Sequence, residues 1–262
     1  MPTDPAVTAM MAVRNRVTLM DESIRSVLAQ DDPDLELVIV DDCSDDGSWE
    51  SAQAWGDRDA RVRALRMSRP SGISAVRNRA VAAARGHYLA TCDSDDLSHV
   101  DRFRLLRTYL DHHPDVIGVG GRIRCFTTDP ATDGWLPDWH FGLADGRLPF
   151  HFSAGMLRTD AVREMGGYDP LLPVAEDLDL AYRLATLGEL VEVPDLVLDY
   201  RVHPGNVTGD LRVRERANLR AQLRGLRTMH GRFSARGYLV LGQSVGRVVK
   251  TSTYPRARRG AG

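Results

Sequence analysis

Two apolar runs of strand length, each stopping at a cluster of aspartates, limit what this chain can fold into more than any other feature. Leu35 to Val40 leads into Asp41-Asp42-Cys43-Ser44-Asp45-Asp46-Gly47, and His87 to Thr91 into Cys92-Asp93-Ser94-Asp95-Asp96. Their length and β-branched content read as buried strands, and the Ser/Asp/Gly segment as a turn. Acids at the C-terminal ends of two strands collect on one edge of an α/β sheet, where such folds bind ligands. There they repel one another unless a cation intervenes. Asp-x-Asp offers hard oxygen donors suited to Mg²⁺ or Mn²⁺, which use one or two protein carboxylates and fill their shell with phosphate oxygens and water. Either cluster taken alone also fits an acidic turn capping the next helix.

A third pair, Glu176-Asp177, opens a helical pattern in which Asp177, Leu180, Ala181 and Leu184 share one face. On that inward stripe Asp177 needs a partner or a cleft. Glu176 reads as a first-turn acid complementing the helix dipole.

Strand and helix alternate along the rest of the chain. Strands are expected at Val7 to Val13, Leu35 to Val40, Val62 to Met67 and His87 to Thr91, with helices at Leu19 to Ala29, Ile73 to Ala84 and Val100 to Leu110. Val116 to Gly120 and Phe150 to Leu157 add strands on either side of an excursion carrying Trp135, Pro137 and Trp139. Such alternation predicts an α/β fold with a mainly parallel, doubly wound sheet flanked by helices. At 262 residues, 43% hydrophobic and 27% charged, the chain has ample core for one large or two small domains, which excludes disordered and fibrous classes.

A net charge of −2 hides an asymmetry. From Leu211 onward thirteen Arg and Lys face the single acid Glu215, a net of +12, which leaves −14 on residues 1–210. Leu219, Leu223 and Leu226 recur at helical spacing among the arginines of Leu211 to His230, as in a basic amphipathic helix. A helix packed on the body, its arginines covering acidic surface, is preferred over membrane or nucleic-acid contact. Thr251 to Gly262 read as disordered. Cys43, Cys92 and Cys125 are odd in number and widely spaced, which predicts reduced thiols and no zinc site. The first residues lack a basic region followed by an apolar run, and no stretch approaches the ~18 apolar residues of a membrane span. The expectation is a cytoplasmic protein whose basic tail is available to the inner membrane face.

One scarcity prunes the alternatives. Lys250 is the chain's single lysine, so the strand-end lysine of receiver domains and haloacid-dehalogenase-type phosphatases is missing, as is a Walker A loop. No G-x-G-x-x-G follows the first strand.

The order of motifs resembles a known family. Asn15, Ser26-Val27-Leu28-Ala29-Gln30, Val40-Asp41-Asp42-Cys43-Ser44-Asp45-Asp46-Gly47, Gly72-Ile73-Ser74-Ala75-Val76-Arg77-Asn78, Asp93-Ser94-Asp95-Asp96, Gly166-Gly167-Tyr168-Asp169, Glu176-Asp177-Leu178-Asp179 and Tyr200-Arg201-Val202-His203-Pro204-Gly205-Asn206 are similar, in this sequence, to the family-2 inverting glycosyltransferases of GT-A fold. The resemblance covers about residues 7–208. It implies residues 1–100 as a nucleotide-sugar-binding half, 101–210 as the metal- and acceptor-binding half of the same domain, and 211–262 as a basic helical tail.

The resemblance further implies that Asp41, with Asp42 beside it in the donor-binding set, hydrogen-bonds the nucleobase, and that Arg77 lies near the base or diphosphate. Asp93 and Asp95 would hold Mn²⁺ or Mg²⁺ on that diphosphate, Asp95 as the direct ligand. Asp177 matches the catalytic base. His203 either reaches the metal or diphosphate or simply fixes a loop before Pro204. Relatives usually end the first strand in P-x-Y-N; here Ala12-Val13-Arg14-Asn15 stands in its place, and Arg14 can stack on a base through its guanidinium plane. Uridine is the favoured base and thymidine the runner-up.

The acceptor is an unidentified hydroxyl on a saccharide, a lipid-linked sugar or a small aglycone, with no nucleic acid implied. Its wall is expected from Cys125 to Gly155, where Trp135, Trp139, His140 and His151 could form a platform. A noncatalytic nucleotide-sugar-binding module on the same fold is the rival reading. Every candidate residue precedes Leu211, so the tail is expected to act on location or packing rather than on chemistry.

Overall fold

The computed structural model describes residues 4–127, 142–203, 211–229 and 233–253. Its elements run β1 (Val7–Val13), α1 (Met20–Leu28), β2 (Leu35–Asp41), α2 (Ser48–Arg58), β3 (Val62–Arg66), α3 (Ile73–Ala83), β4 (Tyr88–Asp93), β5 (Leu97–Ser98), α4 (Arg102–His112), β6 (Val116–Thr127), β7 (Gly155–Arg158), α5 (Thr159–Glu164), α6 (Glu176–Leu184), β8 (Glu189–Val202), α7 (Leu211–Thr228) and α8 (Ala235–Thr253). Among the described residues eight strands form one sheet, in the order β3-β2-β1-β4-β7-β6-β8-β5.

The first four strands of that order are parallel, and their near-continuous apolar sequences reflect burial on both faces. Along β1 the side chains alternate. Val7, Ala9 and Met11 pack with α1, α2 and α4, whereas Met10 packs with α3, α5 and α6 on the other face. Phe103, Leu106 and Leu110, one stripe of α4, are each 0% exposed, and burying each is worth about 1.5–3 kcal/mol.

Register places the acids. Asp41 pairs with Val13 on one side of β1, and Asp93 pairs with Ala12 on the other, so the ends of β2 and β4 flank the end of β1. The sheet reverses direction beyond β4, because β7 runs antiparallel to both β4 and β6. Fully buried Arg102 crosses that boundary, donating to the Thr91 carbonyl at 2.7 Å and the Gly155 carbonyl at 3.1 Å. The chain entering β7 therefore arrives over the same edge as the acids.

Several expectations are corrected. Phe150 to Leu157 is not one strand: a 3₁₀ turn, Phe152–Ala154, precedes β7. Thr251 to Thr253 close α8 instead of starting a disordered end, while residues 254–262, Trp135, Trp139 and His140 lie outside the described residues. The helix expected from Leu211 does form and does pack on the body, but by another face. Leu223 is 44% exposed, and Ala217, Ala221 and Gly225 turn inward instead. Close approach is the reason, since a Cβ at Gly225 would lie 2.4 Å from the Tyr182 ring. Arg224 pairs with Asp169 at 3.0 Å and also with Asp179, as expected of arginines covering acidic surface.

Candidate active site

The C-terminal ends of β1, β2 and β4, the starts of α3 and α6, and the two C-terminal helices enclose a cleft of about 1090 Å³. Arg14, Asp42, Arg77, Asp93, Asp95 and Asp177 all line it.

Arg77 is the hub of this wall. Its side chain is 7% exposed, and its Nη1 donates to Glu176 Oε1 at 2.8 Å and to Asp177 Oδ1 at 2.6 Å, while Nη2 approaches Asp93 Oδ1 at 3.4 Å. One guanidinium thus ties the end of β4 to the first turn of α6. Glu176 is therefore no solvated dipole complement, being buried on the same cation as Asp177. Burial, and then the neighbouring Asp177, push the Glu176 carboxyl up to about 7 against the pull of Arg77. Burial raises Asp177 as well, and two acids on one guanidinium titrate as a pair. α6 begins on a strained residue, Ala175 at φ +61°.

The Gly166-Gly167-Tyr168 motif braces α3 from the other side. Asn78 donates to the Tyr168 carbonyl and accepts from its amide, both at 2.8 Å. Gly167 sits at φ +71°, and a Cβ there would lie 2.4 Å from Asn78 Oδ1.

The three acids after β4 separate into two roles. Asp93 and Asp95 reach the cleft. Asp96 is buried, accepting from the Arg201 amide at 2.9 Å and Ser153 Oγ at 3.2 Å. Burial, followed by the fields of Asp93 and Asp95, holds its carboxyl well above the usual range. Asp95 Oδ2 receives Arg16 Nε at 3.2 Å and His203 Nε2 at 3.1 Å.

Among the described residues no three His, Cys, Asp or Glu side chains gather into a metal cage. The donor set of Asp93, Asp95 and His203 nonetheless suits an ion that takes one or two carboxylates and fills its shell from a bound diphosphate.

The acids after β2 also divide. Asp41 is 0% exposed, accepting from the Ser44 amide at 3.1 Å and pairing with Arg66 at 3.2 Å, so it stands behind the cleft wall. Asp42 faces the cleft and accepts from the Ser71 and Gly72 amides at 2.7 and 3.0 Å, with Arg14 at 3.5 Å. His151 also lines the cleft; burial lowers its pKa to about 4, so it is neutral.

Sequence reasoning missed Arg16, the pairing of Glu176 with Arg77, and the C-terminal helices. Asn218 and Gln222 of α7 and Val240, Gln243 and Arg247 of α8 line the cleft, so the tail is part of the site and not only of its packing. The same helices hold the loop entering β7. Gln222 Nε2 donates to the Gly146 carbonyl at 3.0 Å, the Ser234 amide to the Ala144 carbonyl at 2.9 Å, and Ser234 Oγ to Asp145. No local sequence signal marks these contacts, which join residues 76 to 90 positions apart.

Comparison with known proteins places this architecture. The sequence description Glycosyl transferase family 2 matches residues 8–149. Succinoglycan biosynthesis protein ExoO of Rhizobium meliloti is 29% identical over 274 residues, covering 90% of this chain and 76% of its own. A Sinorhizobium fredii protein, y4gI, is 27% identical over 226 residues, and the chain spans 24% of its length. Two solved structures share the fold. S. aureus TarS 1-349 in complex with UDP-GlcNAc aligns with a TM-score of 0.70 at 17% identity, covering 93% of this chain and 72% of that one. Mannosyltransferase PcManGT from Pyrobaculum calidifontis, in complex with GDP-Man and Mn²⁺, aligns at 0.71 and 19%, covering 97% and 77%. The shared architecture is the GT-A fold.

Proposed function

The chain belongs to glycosyl transferase family 2, and on that premise we propose that it is a metal-dependent, inverting glycosyltransferase. It moves a hexosyl group from a nucleoside-diphosphate sugar, uridine-linked ahead of thymidine-linked, to an acceptor hydroxyl. The observation that carries this reading is the Arg77 bridge, which sets the acids of the Asp-x-Asp segment and Asp177 on one cleft wall. The nucleotide sugars and the Mn²⁺ named for the two structural neighbours support the class of donor and of ion.

Asp95, with Asp93 and His203, would hold the ion. When bound, it would neutralise negative charge developing on the leaving diphosphate. Arg16 already occupies Asp95 Oδ2 and competes with any cation for that oxygen. The nucleobase is assigned to the end of β2, where Asp42 and Arg14 face the cleft and Asp41 stands directly behind them. Asp177 takes the proton of the acceptor hydroxyl as that oxygen attacks the anomeric carbon opposite the leaving group. Arg77 fixes the carboxylate's orientation and favours its ionised form. Among the described residues no helix is long and apolar enough to cross a membrane. The charge of α7 is assigned to its contact with the body.

Calorimetric titration of uridine, thymidine and guanosine diphosphates in Mn²⁺, in Mg²⁺ and in chelator tests the donor half. The uridine compound should bind best, and chelation should weaken it at least about tenfold. Equal affinity in all three conditions would remove the metal assignment. An α-linked donor should yield a β-linked product by NMR, and retention of the anomer would remove Asp177 as the base of a single displacement.

A further inference from the structure

The reaction just described leaves part of the cleft wall without a task. Five arginines line the cleft among the described residues: Arg14, Arg16, Arg77, Arg147 and Arg247. Four are paired with carboxylates, Arg14 with Asp42, Arg16 with Asp95, Arg77 with Asp93, Glu176 and Asp177, and Arg247 with Glu215. Arg147 forms no ion pair or hydrogen bond through its guanidinium among the described residues, and its Nε is shut away from water.

Gln222 lines the same cleft and is 4% exposed. Its Nε2 donates to the Gly146 carbonyl, one residue from Arg147, which fixes the orientation of the amide and leaves Oε1 buried with no partner. A shielded donor on a cation and a shielded carbonyl acceptor are both costly when left unmade. Native structures seldom keep such groups unless something else satisfies them.

The loop that carries Arg147 is built in advance. The Gly142 amide donates to the Leu148 carbonyl at 2.7 Å and the Arg147 amide to the Gly142 carbonyl at 3.2 Å, while Gln222 and Ser234 hold it from outside. A guanidinium on a fixed loop is matched to the planar or tetrahedral oxygens of a carboxylate or phosphate. An amide carbonyl beside it is matched to a hydroxyl.

We propose that Arg147 and Gln222 form an acceptor subsite selecting a sugar that carries a phosphate or carboxylate, the anion on Arg147 and a ring hydroxyl on Gln222 Oε1. The assignment rests on the transferase reading above, since it takes the paired arginines as the donor side. Acceptor class is thereby set by the loop entering β7 and by α7, acting together.

The test uses the full chain and titrates glucose 6-phosphate, glucuronate, glucose and inorganic phosphate, each with and without uridine diphosphate and Mn²⁺. At least one anionic sugar should bind roughly tenfold or more tighter than glucose, and glucose 6-phosphate tighter than inorganic phosphate. Which of the two sugars leads distinguishes phosphate from carboxylate. R147Q should abolish that preference with uridine diphosphate affinity and melting temperature unchanged, and R147K should restore part of it. Equal binding of charged and neutral sugars, absence of binding included, would overturn the proposal. So would an R147Q protein that keeps the preference, or one that loses nucleotide affinity in the same proportion, which would move Arg147 to the donor. Failure of uridine diphosphate to bind the unaltered chain would instead refute the donor reading, and the titrations without nucleotide would still decide this one.

Discussion

Replacing Arg77 with methionine keeps most of the side chain's bulk and deletes the charge shared by three carboxylates. The side chain is 7% exposed, two of its contacts lie at 2.6 and 2.8 Å, and Glu176 and Asp177 have little water to turn to. Removing one partner from a buried ionic cluster costs about 3–5 kcal/mol, a large part of the roughly 5–15 kcal/mol that keeps a domain folded. At roughly 2–4 °C per kcal/mol for a chain of this size, the melting temperature should fall by about 6–20 °C. The loss should depend on pH in a definite sense. Burial already raises Glu176 to about 7, above its unfolded value, so its ionisation disfavours the fold even with Arg77 present. Stability tied to that group is fully present below the unfolded value and is lost as pH rises through about 7. Without Arg77 both acids shift further upward. The deficit of R77M should therefore be greatest near about pH 8 and shrink toward about pH 5.5 as the pair takes up protons. Urea unfolding of both proteins at the two pH values measures it. A deficit under about 1 kcal/mol, or one identical at both pH values, would refute the account of Arg77 as the counter-ion of a strained acidic pair.

D177N should lower turnover by about 10²–10⁴-fold with diphosphate affinity changed less than about twofold, and E176Q should lower it less; donor hydrolysis beside calorimetry separates these, and near-normal turnover in D177N would place the base elsewhere. G167A should destabilise the fold by about 1–3 kcal/mol, because φ +71° strains any side chain and the new Cβ would meet Asn78 Oδ1 at 2.4 Å. A urea midpoint indistinguishable from that of the unaltered protein would show that the α3 bracket relaxes at no cost.

What could be read from the sequence followed local periodicity. α1 was expected at Leu19 to Ala29 and forms as Met20–Leu28, and α3 at Ile73 to Ala84 and forms as Ile73–Ala83, because each carries a clear apolar stripe. α2 buries only Ala52 and Trp55 of its apolar residues and gave no such pattern. β8 is interrupted by Glu192, Pro194 and Asp195, so neither period appears, and only pairing with β6 makes it a strand. The acids on the strand ends were legible as a set, since strand direction alone sends them to one edge. Their division was not: Asp42 rather than Asp41 faces the cleft, and Asp96 is a buried strut, outcomes set by Arg66, Arg201 and Ser153 from distant parts of the chain. Glu176 was misjudged for the same reason. Its partner Arg77 is 99 positions away, and no pattern within one helix reveals it.

The grip of α7 and of Ser234 on the loop entering β7 also decides where this chain can be cut. A fragment ending near residue 210 would keep every parallel strand and most of the acidic edge, yet release Gly146 from Gln222 and Asp145 from Ser234. Screened for ligands, it would pass as a nucleotide binder while its second substrate had no seat. For chimeras the reverse lesson holds. Residues 142–149 and the helices from Leu211 to Thr253 form one transplantable cassette, and exchanging either piece without its counterpart would pair a loop with supports shaped for another.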